Sequence, residues 1–279
     1  MRVGFVGLGS QGAPIAQRIA AGGFDTIVWA RREQALEPFR DGPAAIADSL
    51  ANLGKDLDLL ETCVFDAAGT NEVLFGPNGA AHSMPRGAVI AVHSTVSPSE
   101  VREIAERANE LGLRLLDAPV SGGGIKAAQG ELVTMIGGDA DVLAQCRPVF
   151  ETFANLIVHL GAVGAGQQAK LINNSMLTAN AAVAADAFDI ADRLGLDRDG
   201  LAQVLRNGSG RSFGVEMVAR PGSIEQMAGT PARPTLTKDV ALLAELVAAE
   251  AASGDAQPVL LPVAQGLIAR WDALAPSNS

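Results

Sequence analysis

The chain of 279 residues has no tyrosine at all, which removes any mechanism built on a phenolic acid, that of the tyrosine–lysine dehydrogenases included. Cysteine is nearly absent: Cys63 and Cys146 are the only two, they lack the spacing of metal ligands, and they read as reduced, buried thiols rather than nucleophiles or part of a metal site. Lysine is confined to Lys55, Lys126, Lys170 and Lys238, a scarcity that genomic base composition explains given how many arginines accompany them, but one that narrows any search for an ammonium group. No Lys/Arg-rich segment occurs and the formal charge is -10. That balance argues against nucleic acid or an anionic membrane as partner and requires locally placed cations for any small anionic ligand. Long apolar runs are missing too, since no 18-residue uncharged stretch could span a bilayer, and Met1 leads straight into an apolar strand without a targeting peptide, so the expected compartment is the cytoplasm. There are no internal repeats or low-complexity tracts. What remains is 48% apolar, ample for a large core in one large or two modest domains.

The most informative segment is Gly7-Leu8-Gly9-Ser10-Gln11-Gly12, directly behind the apolar run Val3-Gly4-Phe5-Val6 and ahead of a helical pattern carrying Ile15, Ala16, Ile19 and Ala20. Strand, glycine turn and helix in this order form a dinucleotide-binding fingerprint. Gly7 permits the tight turn, Gly9 admits a pyrophosphate close to the backbone, Gly12 lets the helix pack on the strand, and the helix N-terminus offers free N–H groups to the phosphates. The next strand, Thr26-Ile27-Val28-Trp29, ends in Ala30-Arg31-Arg32. An NAD site places a carboxylate at such a tip for the ribose hydroxyls, whereas guanidinium groups accommodate a 2′-phosphate. Ala30 supplies no carboxylate and Arg31 and Arg32 could clamp a phosphate, which favours NADP over NAD; Glu33, and two simply solvated arginines, are the competing readings.

Up to about residue 160, short β-rich runs at 2–7, 26–30, 58–64, 88–92, 113–117, 133–136 and 156–159 alternate with helical stretches at 11–22, 33–39, 98–111 and 140–153, the pattern of a doubly wound parallel sheet. Ser97 and Pro98 mark the cap and first residue of the third helix. Glu61 interrupts the third strand, with no role assigned to it. After Gly161-Ala162-Val163-Gly164-Ala165-Gly166 the strand signals stop. Residues 167–194 read as one long Ala-rich helix, apolar on most faces, followed by helices near 198–206, 212–219, 236–252 and 258–273, and 275–279 as a frayed tail. The expectation is a Rossmann domain over 1–162 and an all-α domain over 163–279, joined by a long interdomain helix, with a homodimer packed through the helical domain.

Lys170 and Asn174 stand at i and i+4 on one face of that long helix. A lysine in the first turns, near the positive dipole end and partly buried, has its pKa lowered toward the range useful for general acid-base work; a lysine snorkelling from the helix is the alternative. Leu116-Asp117-Ala118-Pro119-Val120-Ser121-Gly122-Gly123-Gly124 follows a strand, so a hydroxyl and consecutive glycine N–H groups form a nest suited to a carboxylate, against the reading of an ordinary Gly-rich loop. His93-Ser94-Thr95-Val96-Ser97-Pro98 ends another strand, on the same rim if the sheet is parallel.

Taken together, Gly7-Leu8-Gly9, Ser94-Thr95-Val96-Ser97-Pro98, Asp117-Ala118-Pro119-Val120-Ser121-Gly122-Gly123, Gly164-x-Gly166-x-x-x-Lys170-x-x-Asn173-Asn174 and Lys238-Asp239 resemble the β-hydroxyacid dehydrogenase family, which includes 3-hydroxyisobutyrate dehydrogenase and the tartronate, succinic and glyoxylic semialdehyde reductases. The resemblance spans nearly the whole chain, in order and with compatible spacing. It implies Lys170 as general acid-base, Asn174 as the residue orienting substrate, Ser121, Gly122 and Gly123 as holders of the substrate carboxylate, Ser94 and Thr95 lining the nicotinamide pocket and Lys238 near the nicotinamide end. Val64, where the third strand ends, is placed with the cofactor-binding residues. Gln11-Gly12 replaces the family's common Met-Gly after the turn, and Ala30-Arg31-Arg32 stands where NADP-using members carry Asn-Arg-Thr. Ser209-Gly210-Arg211-Ser212-Phe213 resembles a stretch beside the substrate pocket, so Arg211 could meet a distal anion or simply cap a helix at the surface. The expected activity is hydride transfer between a nicotinamide cofactor and a small, carboxylate-bearing β-hydroxyacid or its semialdehyde, without a metal. An imine reductase of the same fold is the nearest rival, disfavoured because those enzymes place Asp or Tyr at the position of Lys170; a non-catalytic NADP-binding regulatory protein is the rival from another class.

Overall fold

The computed structural model describes residues 1–220, 222–250 and 258–274 and separates into two compact units, Met1–Lys170 and Leu171–Ser279. The first unit runs β1 (Arg2–Val6), α1 (Gly12–Ala21), β2 (Asp25–Trp29), β3 (Ala45–Ile46), α2 (Leu50–Leu53), β4 (Leu59–Thr62), α3 (Ala67–Phe75), β5 (Val89–Val92), α4 (Pro98–Glu110), β6 (Arg114–Asp117), β7 (Val120–Ser121), α5 (Gly123–Gln129), β8 (Leu132–Gly137), α6 (Ala140–Phe150) and β9 (Ala154–Gly161). The strand order is β3-β2-β1-β4-β5-β6-β8-β7, with β9 paired to β8. Pairing is parallel from β3 through β6. The sheet is not parallel throughout: between β6 and β8 the chain forms only the short β7 and the seven-residue α5, and β8 returns antiparallel to both β6 and β7.

The elements follow from their residues. β4 and β5 are buried along their whole length because helices cover both faces of the sheet, so their apolar runs need no alternation. Two cores result. Val3, Phe5, Ile15, Ile19, Phe150 and Phe153 pack on one face, and Val6, Leu60, Ile90, Val101 and Ile104 on the other. In α1 the buried positions Gly12, Ile15, Ala16, Ile19 and Ala20 keep to one helical stripe. Ser97 and Glu100 close a reciprocal capping box at α4 with Pro98 in its first turn.

Residues 33–39 form a 3₁₀ helix, Glu33–Phe39, rather than an α-helix, in keeping with Pro38, which has no N–H to donate to the α-helical ladder. The short elements β3, α2, α3, β7 and α5 carry too few residues to register as a periodic pattern.

A single helix, α7 (Ala165–Arg193), leaves the first unit and enters the second. There follow α8 (Arg198–Asn207), α9 (Phe213–Val218), α10 (Ser223–Ala228), α11 (Ala232–Glu250) and α12 (Leu260–Ala273). Phe188 and Trp271, both fully buried, anchor a core with Ala181, Ala185, Val215 and Leu267. Small residues set its spacing: a Cβ on Gly214 would fall 2.4 Å from the Asn180 carbonyl carbon, so α9 rests directly on the backbone of α7. The tail at 275–279 and the last residues of the predicted 236–252 helix lie outside the described residues. Among the described residues no helix is long and apolar enough to cross a membrane.

Candidate active site

In an open α/β sheet ligands bind beyond the carboxyl ends of the strands, at the point where the strand order reverses. Here that point lies between β1 and β4, and the turn Gly7–Gly12 leaves β1 there. Gly7 has φ +99°, and a Cβ on it would lie 2.2 Å from the Cys63 carbonyl oxygen; a Cβ on Gly12 would lie 2.0 Å from the Gly7 oxygen. Both positions therefore demand glycine. By contrast a Cβ on Gly9 would meet nothing within 4 Å, so the outer side of the turn is open, and Gln11 gives α1 no side-chain cap. An accessible backbone turn at a helix N-terminus fits a pyrophosphate, with the Ala13 N–H already taken by the Gly9 carbonyl at 3.0 Å and Pro14 offering none. Leu8 is buried beneath the turn while Ser10 is exposed. β2 runs parallel to β1 with Trp29 level with Val6, which brings Arg31 and Arg32, both exposed, to the same end of the sheet.

The loops after β4, β5 and β6 share this rim. The buried Ser94 hydroxyl accepts the Val64 N–H at 3.0 Å, so two of the expected cofactor residues are joined directly, and Thr95 follows, half-buried. Beyond β6, Ser121 is followed by Gly122 and Gly123 at φ +135° and +72°, conformations that favour glycine. Gly122 and Gly123 are exposed and Ser121 is half-buried.

Lys170 is half-buried on α7, and its ammonium acts on the thiol of Cys63 at the end of β4: burial, with the charge of Glu61, pushes that thiol up to about 12 while Lys170 pulls it down. In the second unit, Asn174 is buried, its Nδ2 donating to Asp239 Oδ2 at 2.5 Å and its Oδ1 accepting from Asn173 Nδ2 at 3.0 Å. Lys238 Nζ lies 3.4 Å from the other oxygen of Asp239. Arg211 is exposed in the turn between α8 and α9.

Three buried polar side chains have partners that the sequence pattern does not show. Glu61 is fully buried with its Oε2 3.2 Å from Nε2 of the equally buried His93, whose Nδ1 is 2.7 Å from the Ala118 carbonyl. A carbonyl only accepts, so Nδ1 carries a hydrogen, and one further proton is held between Nε2 and the carboxyl group. Phe5, Phe150 and Phe153 surround the imidazole. The other two are Asp117, fully buried with its carboxyl pushed above the usual carboxylate range by burial against the pull of backbone N–H groups, and Gln167, also fully buried.

The fold and the turn define a dinucleotide-binding α/β protein with a helical second unit. Residues 2–161 match the family NAD binding domain of 6-phosphogluconate dehydrogenase, and residues 164–275 match the family NAD-binding of NADP-dependent 3-hydroxyisobutyrate dehydrogenase. An uncharacterised oxidoreductase of Mycobacterium tuberculosis is 33% identical, covering 98% of this chain and 92% of its own. L-threonate dehydrogenase of Cupriavidus necator is 36% identical over 76% of this chain and 71% of its own. Among solved structures, Mycobacterium tuberculosis 3-hydroxyisobutyrate dehydrogenase with L-serine superposes with a TM-score of 0.84 at 28% identity, covering 98% of this chain and 94% of that one. The chain belongs to the β-hydroxyacid dehydrogenase family and is an NAD(P)-binding oxidoreductase of the 3-hydroxyisobutyrate dehydrogenase type.

Proposed function

We propose that the protein is an NADP-preferring dehydrogenase or reductase of a small β-hydroxyacid or its semialdehyde. One observation carries this reading: the glycine turn, the Ser94–Thr95 loop and the glycine nest follow β1, β5 and β6, and Lys170 stands in the first turns of α7, whose start is bonded through Gln167 to the Ser94–Val96 loop. The turn from Gly7 to Gly12, with Val64, Ser94, Thr95 and Lys238, would hold a nicotinamide dinucleotide, and Arg31 and Arg32 its 2′-phosphate. When bound, that cofactor supplies or accepts a hydride. Ser121 and the Gly122 and Gly123 N–H groups hold the substrate carboxylate, and Arg211 meets any distal anion. Lys170 gives a proton to the carbonyl oxygen in reduction and takes the hydroxyl proton in oxidation, while Asn174 orients the substrate. The relatives that act on L-threonate and 3-hydroxyisobutyrate support a hydroxyacid as substrate.

The test is cofactor turnover, read by absorbance with NADP(H) and NAD(H), against tartronate, methylmalonate, succinic and glyoxylic semialdehydes, L-threonate, 3-hydroxyisobutyrate and L-serine, with a cyclic imine as counter-substrate. Acids are expected to exceed their methyl esters or amides by at least about tenfold, because backbone N–H groups in a nest favour an anion. Equal rates for acid and ester, or imine turnover above every acid, would replace this reading. The same reading places the enzyme in the cytoplasm.

A homodimer through the helical unit is part of the proposal. Ile172, Met176, Val183 and Ile190 are all more than half exposed along α7, and at about 100° per residue they fall within a stripe roughly 40° wide. A sedimentation measurement that finds only monomer at micromolar concentration would remove this part.

A further inference from the structure

We propose that Gln167 and Asp117 are positioning residues for turnover: they lock the first turn of α7, and with it the Lys170 ammonium, to the Ser94–Val96 loop and to the end of β6. The proposal rests on the reading of Lys170 as the acid-base group.

The argument begins with the Gln167 side chain, which is fully buried and grips the loop after β5 at two points. Its Nε2 donates to the Ser94 carbonyl at 2.8 Å, and its Oε1 accepts the Val96 N–H at 3.1 Å. Only a primary amide supplies a donor and an acceptor side by side. Turning the amide over would set N–H against N–H and oxygen against oxygen, so its orientation is fixed. The Gln167 backbone is held as tightly. Its N–H donates to Asp117 Oδ2 at 2.8 Å, and the Gly164 N–H donates to Oδ1 at 2.8 Å. The Asp117 carboxylate thus sits on the first turn of α7, where N–H groups lack partners within the helix. Distance leaves no slack: a Cβ on Gly166 would come 2.5 Å from the Met135 carbonyl oxygen and 2.8 Å from Asp117 Oδ2, so the helix start lies directly against β8 and β6.

Lys170 lies three residues beyond Gln167, less than one helical turn. Any tilt of that turn therefore moves the ammonium relative to Ser94 and Thr95. Displacement of this order at a reacting group is costly: a shift of about 1 Å can lower turnover about a hundredfold. Gln167 is one side chain that holds the two loops in register, and Asp117 fixes the helix end from which it projects.

Gln167→Met, similar in length but lacking both polar atoms, is compared with wild type and Lys170→Ala. NADPH affinity is titrated by fluorescence, folding is followed by thermal melting, and turnover is expressed per NADPH-binding site. The expected result for Gln167→Met is kcat per site lowered more than about fivefold, with NADPH affinity within about threefold of wild type and a primary isotope effect with 4-deuterated NADPH at or above the wild-type value. Glu at 167 can still accept from Val96 but cannot donate to Ser94, so Gln167→Glu is expected to show the same loss; it is read instead if the Met variant does not fold. Asp117→Asn, which keeps the size but gives up one acceptor, is expected to follow the same pattern. A kcat per site within fivefold of wild type for the folded variants, or a lowered isotope effect, overturns the proposal and leaves Gln167 a purely structural residue. The reading of Lys170 fails separately, and the inference with it, if wild type turns over no member of the substrate panel or if Lys170→Ala is fully active.

Discussion

Both units have apolar cores, and they differ in the polar groups they bury beside them. Beneath the rim of the first unit lie Glu61, His93, Asp117 and Gln167, each 4% exposed or less, linked by directional bonds to one another, to the loops after β5 and β6 and to the start of α7. The second unit is centred on Phe188 and Trp271 among alanines, and among its described residues the buried polar side chains are Asn174, Ser175, Thr178, Ser223 and Asp239, with Asn174 donating to Asp239. Apolar packing is non-directional and holds helices by filling space, whereas each buried polar group fixes a partner to within a few tenths of an ångström. The contrast teaches where accuracy is required: at the loops proposed to carry chemistry, not in the helical core.

Stability shows the largest effects in both regions, and the conservative Glu61→Gln variant is what distinguishes them. Glu61→Ala leaves His93 Nε2 without its partner in an aromatic surround, and removing one member of such a buried pair costs about 3–5 kcal/mol. Glu61→Gln is expected to cost far less, because the amide can donate to a neutral imidazole that still donates to Ala118. Trp271→Ala in the second unit should cost a similar 3–5 kcal/mol by cavity formation. Urea unfolding reads all three. If Glu61→Gln were as damaging as Glu61→Ala, the shared proton would not be the reason for the pair, and the first unit's centre would differ from the second's in composition alone.

Turnover should divide the same way. Lys170→Ala is expected to keep its fold and NADPH affinity and to lose at least about a hundredfold in kcat, the usual scale for a positioned acid-base group. Asn174→Ala should lose less, since it transfers no proton. Near-normal turnover of the lysine variant would detach the rim from the chemistry. A smaller effect tests the β2 tip: replacing Arg31 and Arg32 with Ala should raise KM for NADPH roughly tenfold per arginine while NADH is almost unaffected, given about 1.5–3 kcal/mol for each charge-assisted contact. An unchanged cofactor ratio would mean that these exposed guanidinium groups are only solvated. Ala30→Asp should move preference toward NADH by supplying a ribose acceptor.

Much of this was legible in the chain because periodicity and glycine spacing are local. The turn from Gly7 to Gly12, the capping residues Ser97 and Pro98, and the long helix through Lys170 all follow from neighbours within a few positions. The β6–β8 reversal did not, since strand direction depends on connections rather than on the alternation of Leu132–Gly137 itself. The role of Glu61 was hidden for the same reason: its partner stands 32 positions away on the adjacent strand's end, and a carboxylate inside an apolar run looks like an error until the histidine is beside it. Gln167 reads as an ordinary helix-forming residue. Its two bonds to Ser94 and Val96 span more than 70 positions, a distance over which sequence pattern carries no signal.

The thiols offer the mildest probe, and one confined to the first unit, because both cysteines of the chain lie there. Cys146 is 1% exposed in the core with Phe150, and burial, assisted by the charge of Glu61, pushes its thiol from 9.0 up to about 12. A raised folded value means that the native state keeps its proton between about pH 9 and 12 while the unfolded chain releases it. The contribution to stability is therefore fully present below pH 9 and is lost as pH rises toward the folded value, by about 1.4 kcal/mol for each pH unit in that window. Wild type should lose urea stability between pH 8.5 and 10.5 more steeply than Cys146→Ala, the difference approaching about 2 kcal/mol after allowing for partial ionisation at the lower end. Lysine and arginine titrations are common to both proteins and cancel in the difference. The native thiol should likewise resist a disulfide reagent at pH 8 until urea unfolds the protein. Equal pH slopes for the two proteins, together with rapid labelling of Cys146 in the folded chain, would show that the core around His93 and Phe150 opens to water, and the contrast between a rigid polar centre and a space-filling helical one would fail at its simplest point.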